Sequence, residues 1–131
     1  MWCWGAGRHG RNGDGTQDDR SAPVQVLTAA ATPLTGATAI TAGRAHRCAI
    51  TTDGVYCWGR GDRGQLGRDG GRDNPYAARM DPAVTDVFTQ ISATGRGTCA
   101  LTSTHRVLCW GETPVSGSKT PIPLTAFEPA I

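Results

Sequence analysis

The sequence predicts an all-β protein of antiparallel sheets that repeat along the chain, on three observations. The tripeptide Cys-Trp-Gly occurs three times, as Cys3-Trp4-Gly5, Cys57-Trp58-Gly59 and Cys109-Trp110-Gly111, with the tryptophans 54 and 52 positions apart. A period of that size marks a repeat architecture, in which each unit buries its core against its neighbours. The chain holds 18 glycines while aromatic residues make up only 6%, which suits short strands joined by tight turns. Finally, a segment with a second cysteine leads into the second and third tripeptides, and each reads as a β-hairpin.

The first copy is incomplete. Met1 aligns with Val55, so the chain opens in the middle of a hairpin's second strand, and Cys3 has no partner ahead of it. This start is expected to reflect part of a longer repeat protein. After it, Gly5, Gly7, Gly10 and Gly13 match Gly59, Gly61, Gly64 and Gly67 one for one. After the third Trp-Gly the series gives way to Glu112-Thr113-Pro114-Val115-Ser116-Gly117. Ser21-Ala22-Pro23-Val24, Asn74-Pro75-Tyr76 and Thr120-Pro121-Ile122-Pro123 follow the three loops, and proline there suits a connection into the next unit's edge. The expected division is 1–37 as a partial first repeat, 38–88 as a full one and 89–131 as a degenerate repeat with a tail.

In the second copy, His46–Thr51 and Gly54–Trp58 read as strands joined by Thr52-Asp53. Pairing Thr51 with Gly54 sets Ile50 against Val55 and Cys48 against Cys57, all on one face because strand side chains alternate. A type I turn with a glycine bulge competes, and it would shift the register by one. In the third copy a loop of Ser103-Thr104-His105 keeps Leu101 opposite Val107 and Cys99 opposite Cys109. Directly opposed cysteines lie within disulfide range. Closing such short loops stabilises by roughly 2–3 kcal/mol. Buried reduced thiols packed as small hydrophobes are the other reading. Metal binding finds no support, since no Cys-x-x-Cys is present and His46-x-Cys48 cannot supply four ligands.

Gly43-Arg44-Ala45-His46, Cys48-Ala49-Ile50, Asp53 through Gly59 and Gly64-Gln65-Leu66-Gly67 together resemble the regulator of chromosome condensation repeat. The resemblance is full over about 38–67, partial over 1–13 and 89–111, and absent beyond. It implies that each repeat contributes a blade of a β-propeller, here an incomplete one with too few repeats to close a ring. The paired cysteines look like those of bacterial extracytoplasmic members. Trp4, Trp58 and Trp110 would then cover the core between blades, each indole N–H needing a partner. Gly59, Gly64 and Gly67 permit the turns, Gln65 and Leu66 complete the motif, and His46 serves as a structural hydrogen-bonding residue.

Other motifs carry less. Gly59-Arg60-Gly61-Asp62-Arg63-Gly64 and Gly5-Ala6-Gly7-Arg8-His9-Gly10 match G-x-G-x-x-G, but no helical period follows to make a dinucleotide site. Arg60-Gly61-Asp62 spells an adhesion tripeptide inside the repeat's own glycine series. Asn12 through Asp19 alternates oxygen ligands, yet it lacks the EF-hand glycine and terminal glutamate and reads as a solvated turn. The net charge is +2 and twelve of the thirteen basic residues are scattered arginines, so no basic stripe points to nucleic acid. No stretch is apolar for long enough to cross a membrane. The three histidines fall in unrelated positions and no nucleophile motif is present. No cofactor is called for.

These readings converge on a non-catalytic interaction scaffold in the extracellular space or cell envelope, where cysteine pairs persist. The resemblance leaves two further classes, a secreted propeller-type enzyme inhibitor and a guanine-nucleotide exchange factor. The binding surface is expected at Arg44-Ala45 and Arg96-Gly97, on one face and one blade apart, because arginine offers a planar fork of donors. Bare outer blades with open strand edges predict self-association or a partner protein.

Overall fold

The computed structural model describes residues 1–68, 70–113 and 118–123; 114–117, within the stretch that replaces the third glycine series, and the tail 124–131 lie outside it. Ten strands are placed: β1 (Trp2–Gly5), β2 (Arg20–Gln25), β3 (Ala37–Ala42), β4 (His46–Thr51), β5 (Gly54–Gly59), β6 (Asn74–Arg79), β7 (Phe88–Ala93), β8 (Arg96–Thr102), β9 (Val107–Glu112) and β10 (Ile122–Pro123). They form a two-stranded sheet β1-β2 and two four-stranded sheets, β3-β4-β5-β6 and β7-β8-β9-β10, all antiparallel. The first sheet is therefore the second half of the unit that the other two complete. No helix among the described residues is long and apolar enough to cross a membrane.

Both hairpins take the directly opposed register. Thr51 faces Gly54, Ile50 faces Val55 and Cys48 faces Cys57, so the shifted glycine-bulge pairing is not adopted. The Thr51 hydroxyl holds this tight turn, donating to the Gly54 carbonyl at 2.8 Å and accepting from the Asp53 N–H at 3.1 Å. The longer loop closes differently: the Thr102 N–H reaches the Arg106 carbonyl at 2.8 Å, with His105 at φ 65°. Cys99 still faces Cys109. Disulfides join Cys48 to Cys57 and Cys99 to Cys109, each across a Cα–Cα distance of 4.1 Å. That spacing is of the narrow, non-hydrogen-bonded kind of antiparallel pair.

The prolines sit one step away from their expected place. Pro23, Pro75 and Pro123 lie inside β2, β6 and β10, the last strand of each sheet, rather than in the connections. A last strand has a free edge, so a residue without an N–H costs no ladder bond when it points that way.

Strand alternation gives each sheet two working faces. Cys48, Ile50, Val55 and Cys57 meet Phe88, Ala100, Leu108 and Trp110 of the next sheet, closed over by Leu66 and Met80. On the other side Ala49, Trp58 and Ala77 meet Val26 and Leu34, with Met1, Cys3 and Tyr56 at the margin. The core is thus two seams between three stacked sheets, and no sheet has an interior of its own. This is the packing that a blade repeat requires.

Candidate functional site

The seams are stitched by one arrangement used twice. The Trp58 indole Nε1–H donates to the backbone carbonyl of Arg11 at 3.1 Å, and the Trp110 indole donates to that of Gln65 at 3.0 Å. Arg11 and Gln65 are 54 positions apart, one repeat, in matching glycine loops. Each loop therefore offers a carbonyl to the tryptophan of the sheet that follows it. Gly13 and Gly67 make the approach possible. Each has positive φ, 73° and 71°, and a Cβ would come within 2.8 Å of the Trp58 Nε1 and 3.1 Å of the Trp110 Nε1. Trp58 and Trp110 are fully buried, whereas Trp4 is 62% exposed. The sequence equates the three, and the difference is physical, since among the described residues no sheet stands in front of Trp4.

The second seam carries a further polar chain. His46 Nε2 lies 2.8 Å from the Thr98 Oγ1, and that hydroxyl donates to the Gln65 carbonyl at 3.3 Å. A hydroxyl has one proton to give, so with Thr98 donating to Gln65 the proton between His46 and Thr98 belongs to Nε2. Gln65 then accepts from both Thr98 and Trp110, which fills its two lone pairs. His46 Nδ1 is buried with no partner among the described residues. Burial, with the adjacent Arg47 charge, lowers the His46 pKa from 6.5 to about 4. Gly43 is the reason for the Gly-x-x-His spacing. A side chain there would collide with the ring, its Cβ falling 2.6 Å from Nδ1.

The loops that hold these carbonyls share one end of the stack with the turns at Arg44 and Arg96. The turns touch directly, the Arg44 N–H donating to the Gly95 carbonyl at 3.0 Å. Arg11 of the first loop reaches the Arg44 carbonyl at 3.4 Å through Nη1. Arg44 is exposed, and among the described residues its guanidinium meets no carboxylate. Arg96 is only half-exposed and shares Glu112 with Arg63, each at 3.6 Å. The structure thus brings the two candidate binding arginines to one surface and leaves only Arg44 uncommitted.

Other loop positions are already taken. Arg60 and Asp62 of the adhesion tripeptide grip each other through two bonds of 2.8 Å, so neither head is presented free. The Gly7 and Gly61 N–H groups donate to Asp19 at 2.8 Å and Asp73 at 3.0 Å. Within the G-x-G-x-x-G loops, carboxylates thus occupy donors that a phosphate would need. Asp14 accepts from Arg20 at 2.8 Å and Asp18 lies 3.8 Å from the same guanidinium, which fills the oxygen-rich turn with a cation of the chain's own. Asp73 was not singled out from the sequence and Asp19 was read only as part of a solvated turn, although their 54-residue spacing repeats that of Trp4 and Trp58. Thr98 was missed too, because no motif marks a hydroxyl that faces the preceding sheet.

A family profile described as regulator of chromosome condensation (RCC1) repeat matches residues 1–50 and 52–101, and a related one of the same description matches 37–65. The ultraviolet-B receptor UVR8 of Arabidopsis thaliana is 29% identical over 112 residues, covering 85% of this chain and 25% of the receptor. The E3 ubiquitin-protein ligase HERC2 of Homo sapiens is 26% identical over 112 residues, covering 86% of this chain and 2% of the ligase. The chain therefore spans a quarter or less of the length of these curated relatives. Among solved structures, Prp20p from Saccharomyces cerevisiae, studied for its binding to Gsp1p and histones, superposes with a TM-score of 0.77 at 23% identity, over 97% of this chain and 34% of Prp20p. Human WBSCR16 does so with a TM-score of 0.74 at 19% identity, over 95% of this chain and 33% of its own.

Proposed function

The chain belongs to the regulator of chromosome condensation repeat family, and on that premise we propose that it is a non-catalytic protein-interaction scaffold and part of a larger extracytoplasmic protein. The observation that carries the reading is the loop surface, where Arg44 stands exposed and without a carboxylate beside a turn that carries the second arginine. Beneath it the tryptophan stitches and the His46–Thr98 contact hold the loops in place, as a binding surface requires if it is to avoid an ordering cost. Two of the similar structures concern a protein that binds other proteins, Prp20p with Gsp1p and histones and yeast RCC1 (Prp20) with Kap60. The two hairpin disulfides support an oxidising compartment. That support weighs against guanine-nucleotide exchange on a cytosolic or nuclear GTPase, and it leaves secreted enzyme inhibition as the alternative.

The test is affinity capture from the host's envelope fraction by the wild-type chain and by Arg44→Ala/Arg96→Ala, quantified by mass spectrometry. A partner held by wild type is expected to fall at least tenfold in the double variant, a loss of about 1.4 kcal/mol or more. Arg44→Ala alone is expected to account for most of that fall, because Arg96 already has Glu112. Equal recovery of every partner by the two forms would remove the arginine surface from consideration.

A further inference from the structure

Beside β6 a hollow of about 580 Å³ is built from segments of two repeats. The turn 28–32 lines one part of it and the second glycine loop reaches it through Arg68, while β5 and the end of β6 supply Tyr56, Ala77, Ala78 and Arg79. The hollow thus lies along the first seam and not on a face where a further repeat would stack. Its floor is apolar, because the lining residues Ala77, Ala78 and Met80 are buried. The turn over it is braced: the Thr28 N–H donates to the Thr32 carbonyl at 2.8 Å, and the two hydroxyls lie 2.7 Å apart. The Ala77 N–H fixes the start of that turn to β6 through the Leu27 carbonyl, at 2.8 Å. A preformed hollow of this size is in the range that holds small ligands. Arg68 and Arg79 are both exposed, and among the described residues neither makes an ion pair and no carboxylate lines the hollow. Asp53 accepts from the Tyr56 hydroxyl at 2.7 Å and Asp81 from the Ala83 N–H at 2.9 Å. The repeat does not demand these arginines. Strand register puts Gln25 in the place of Arg79, and the glycine spacing puts Asp14 in the place of Arg68.

We propose that this hollow binds a small carboxylic acid with an apolar body. The carboxylate is held by the Arg68 and Arg79 guanidiniums, each of which offers parallel N–H donors. The body of the ligand covers Ala77, Ala78 and Met80. Both parts are needed, since an exposed ion pair alone is worth little in water and the floor alone carries no preference for charge. The site shares no residue with the arginine surface at Arg44 and Arg96, and the two readings stand or fall separately.

The test is a titration of the full chain with phenylbutyrate, followed in nitrogen–proton correlation spectra. Saturable shifts are expected at the amides of Thr28, Ala29, Ala77 and Met80, with a Kd of millimolar order for a probe this small. Phenylbutyramide, which lacks the charge, and acetate, which lacks the body, should each bind at least tenfold more weakly. Arg68→Gln/Arg79→Gln is expected to weaken phenylbutyrate at least tenfold, whereas Arg44→Ala/Arg96→Ala leaves its binding unchanged. Both glutamine positions are exposed, and a thermal melt matching wild type excludes unfolding as the cause. Should that variant melt early, Ala30→Glu carries the same test by setting a carboxylate on the turn that lines the hollow, with the same loss expected. Absence of saturable shifts at these amides, equal binding of acid and amide, or an affinity that survives the substitutions would overturn the proposal.

Discussion

Trp110→Ala is expected to destabilise the protein by about 3–5 kcal/mol, the range for truncating a buried tryptophan. Trp110 is fully buried in the second seam, packs edge-on against Phe88 at 6.3 Å between ring centres, and gives its indole N–H to Gln65. The alanine would leave a cavity between two sheets and remove one of the two donors to that carbonyl. Domains of this size have about 5–15 kcal/mol of stability in total, so most of the cooperative transition should be lost. Trp4→Ala provides the contrast. Its side chain is the same but 62% exposed, with no sheet in front of it among the described residues. Its cost should stay within about 0.5 kcal/mol, as for ordinary surface substitutions. Urea unfolding followed by circular dichroism measures both, and equal costs for the two would contradict the seam.

The second large effect is on pH. The His46 pKa is lowered from 6.5 to about 4 in the folded protein, while an unfolded chain protonates near 6.5. Above that value the ring is neutral in both states, and His46 makes no pH-dependent contribution. As the pH falls through 6.5 the unfolded state takes up the proton first, and stability declines until the folded pKa near 4 is reached. A gap of that width corresponds to about 3 kcal/mol. The structural cause is burial of the ring, with the adjacent Arg47 charge, and Nδ1 has no hydrogen-bond partner among the described residues to hold a second proton. His46→Asn removes the titration. The difference in unfolding free energy between wild type and this variant should therefore narrow by that amount between pH 7 and pH 4. A difference independent of pH would mean that His46 protonates freely in the fold.

What the sequence disclosed and what it concealed divide along a physical line. The directly opposed register was legible in both hairpins, while a shifted glycine-bulge register stayed open for the first, because the pairing of Cys48 with Cys57 depends on the turn between them. The role of Trp58 and Trp110 between sheets was likewise legible from the repeat. Their acceptors were not, because a backbone carbonyl carries no residue signature: Arg11 and Gln65 do the same work with different side chains. Exposure of Trp4 escaped the repeat alignment, which compares residues and not neighbours. Arg44 and Arg96 were equated for the same reason, yet only the second has an acidic residue, Glu112, across its sheet. Asp19 and Asp73 were within reach, since they keep the repeat's spacing and pin the N–H of its second glycine.

Each glycine loop offers a carbonyl to the tryptophan of the next sheet, and hydrogen exchange at the indoles reads that contact out. The four tryptophan Nε1–H groups give separate signals in a nitrogen–proton correlation spectrum, assignable by single Trp→Phe substitutions. Those of Trp58 and Trp110, buried and donated to Arg11 and Gln65, should exchange with solvent deuterium only through opening of the seams. Those of Trp2 and Trp4, 58% and 62% exposed, should exchange within the dead time. Four indoles exchanging alike, or protection of Trp4 in place of Trp58, would contradict the stacked arrangement.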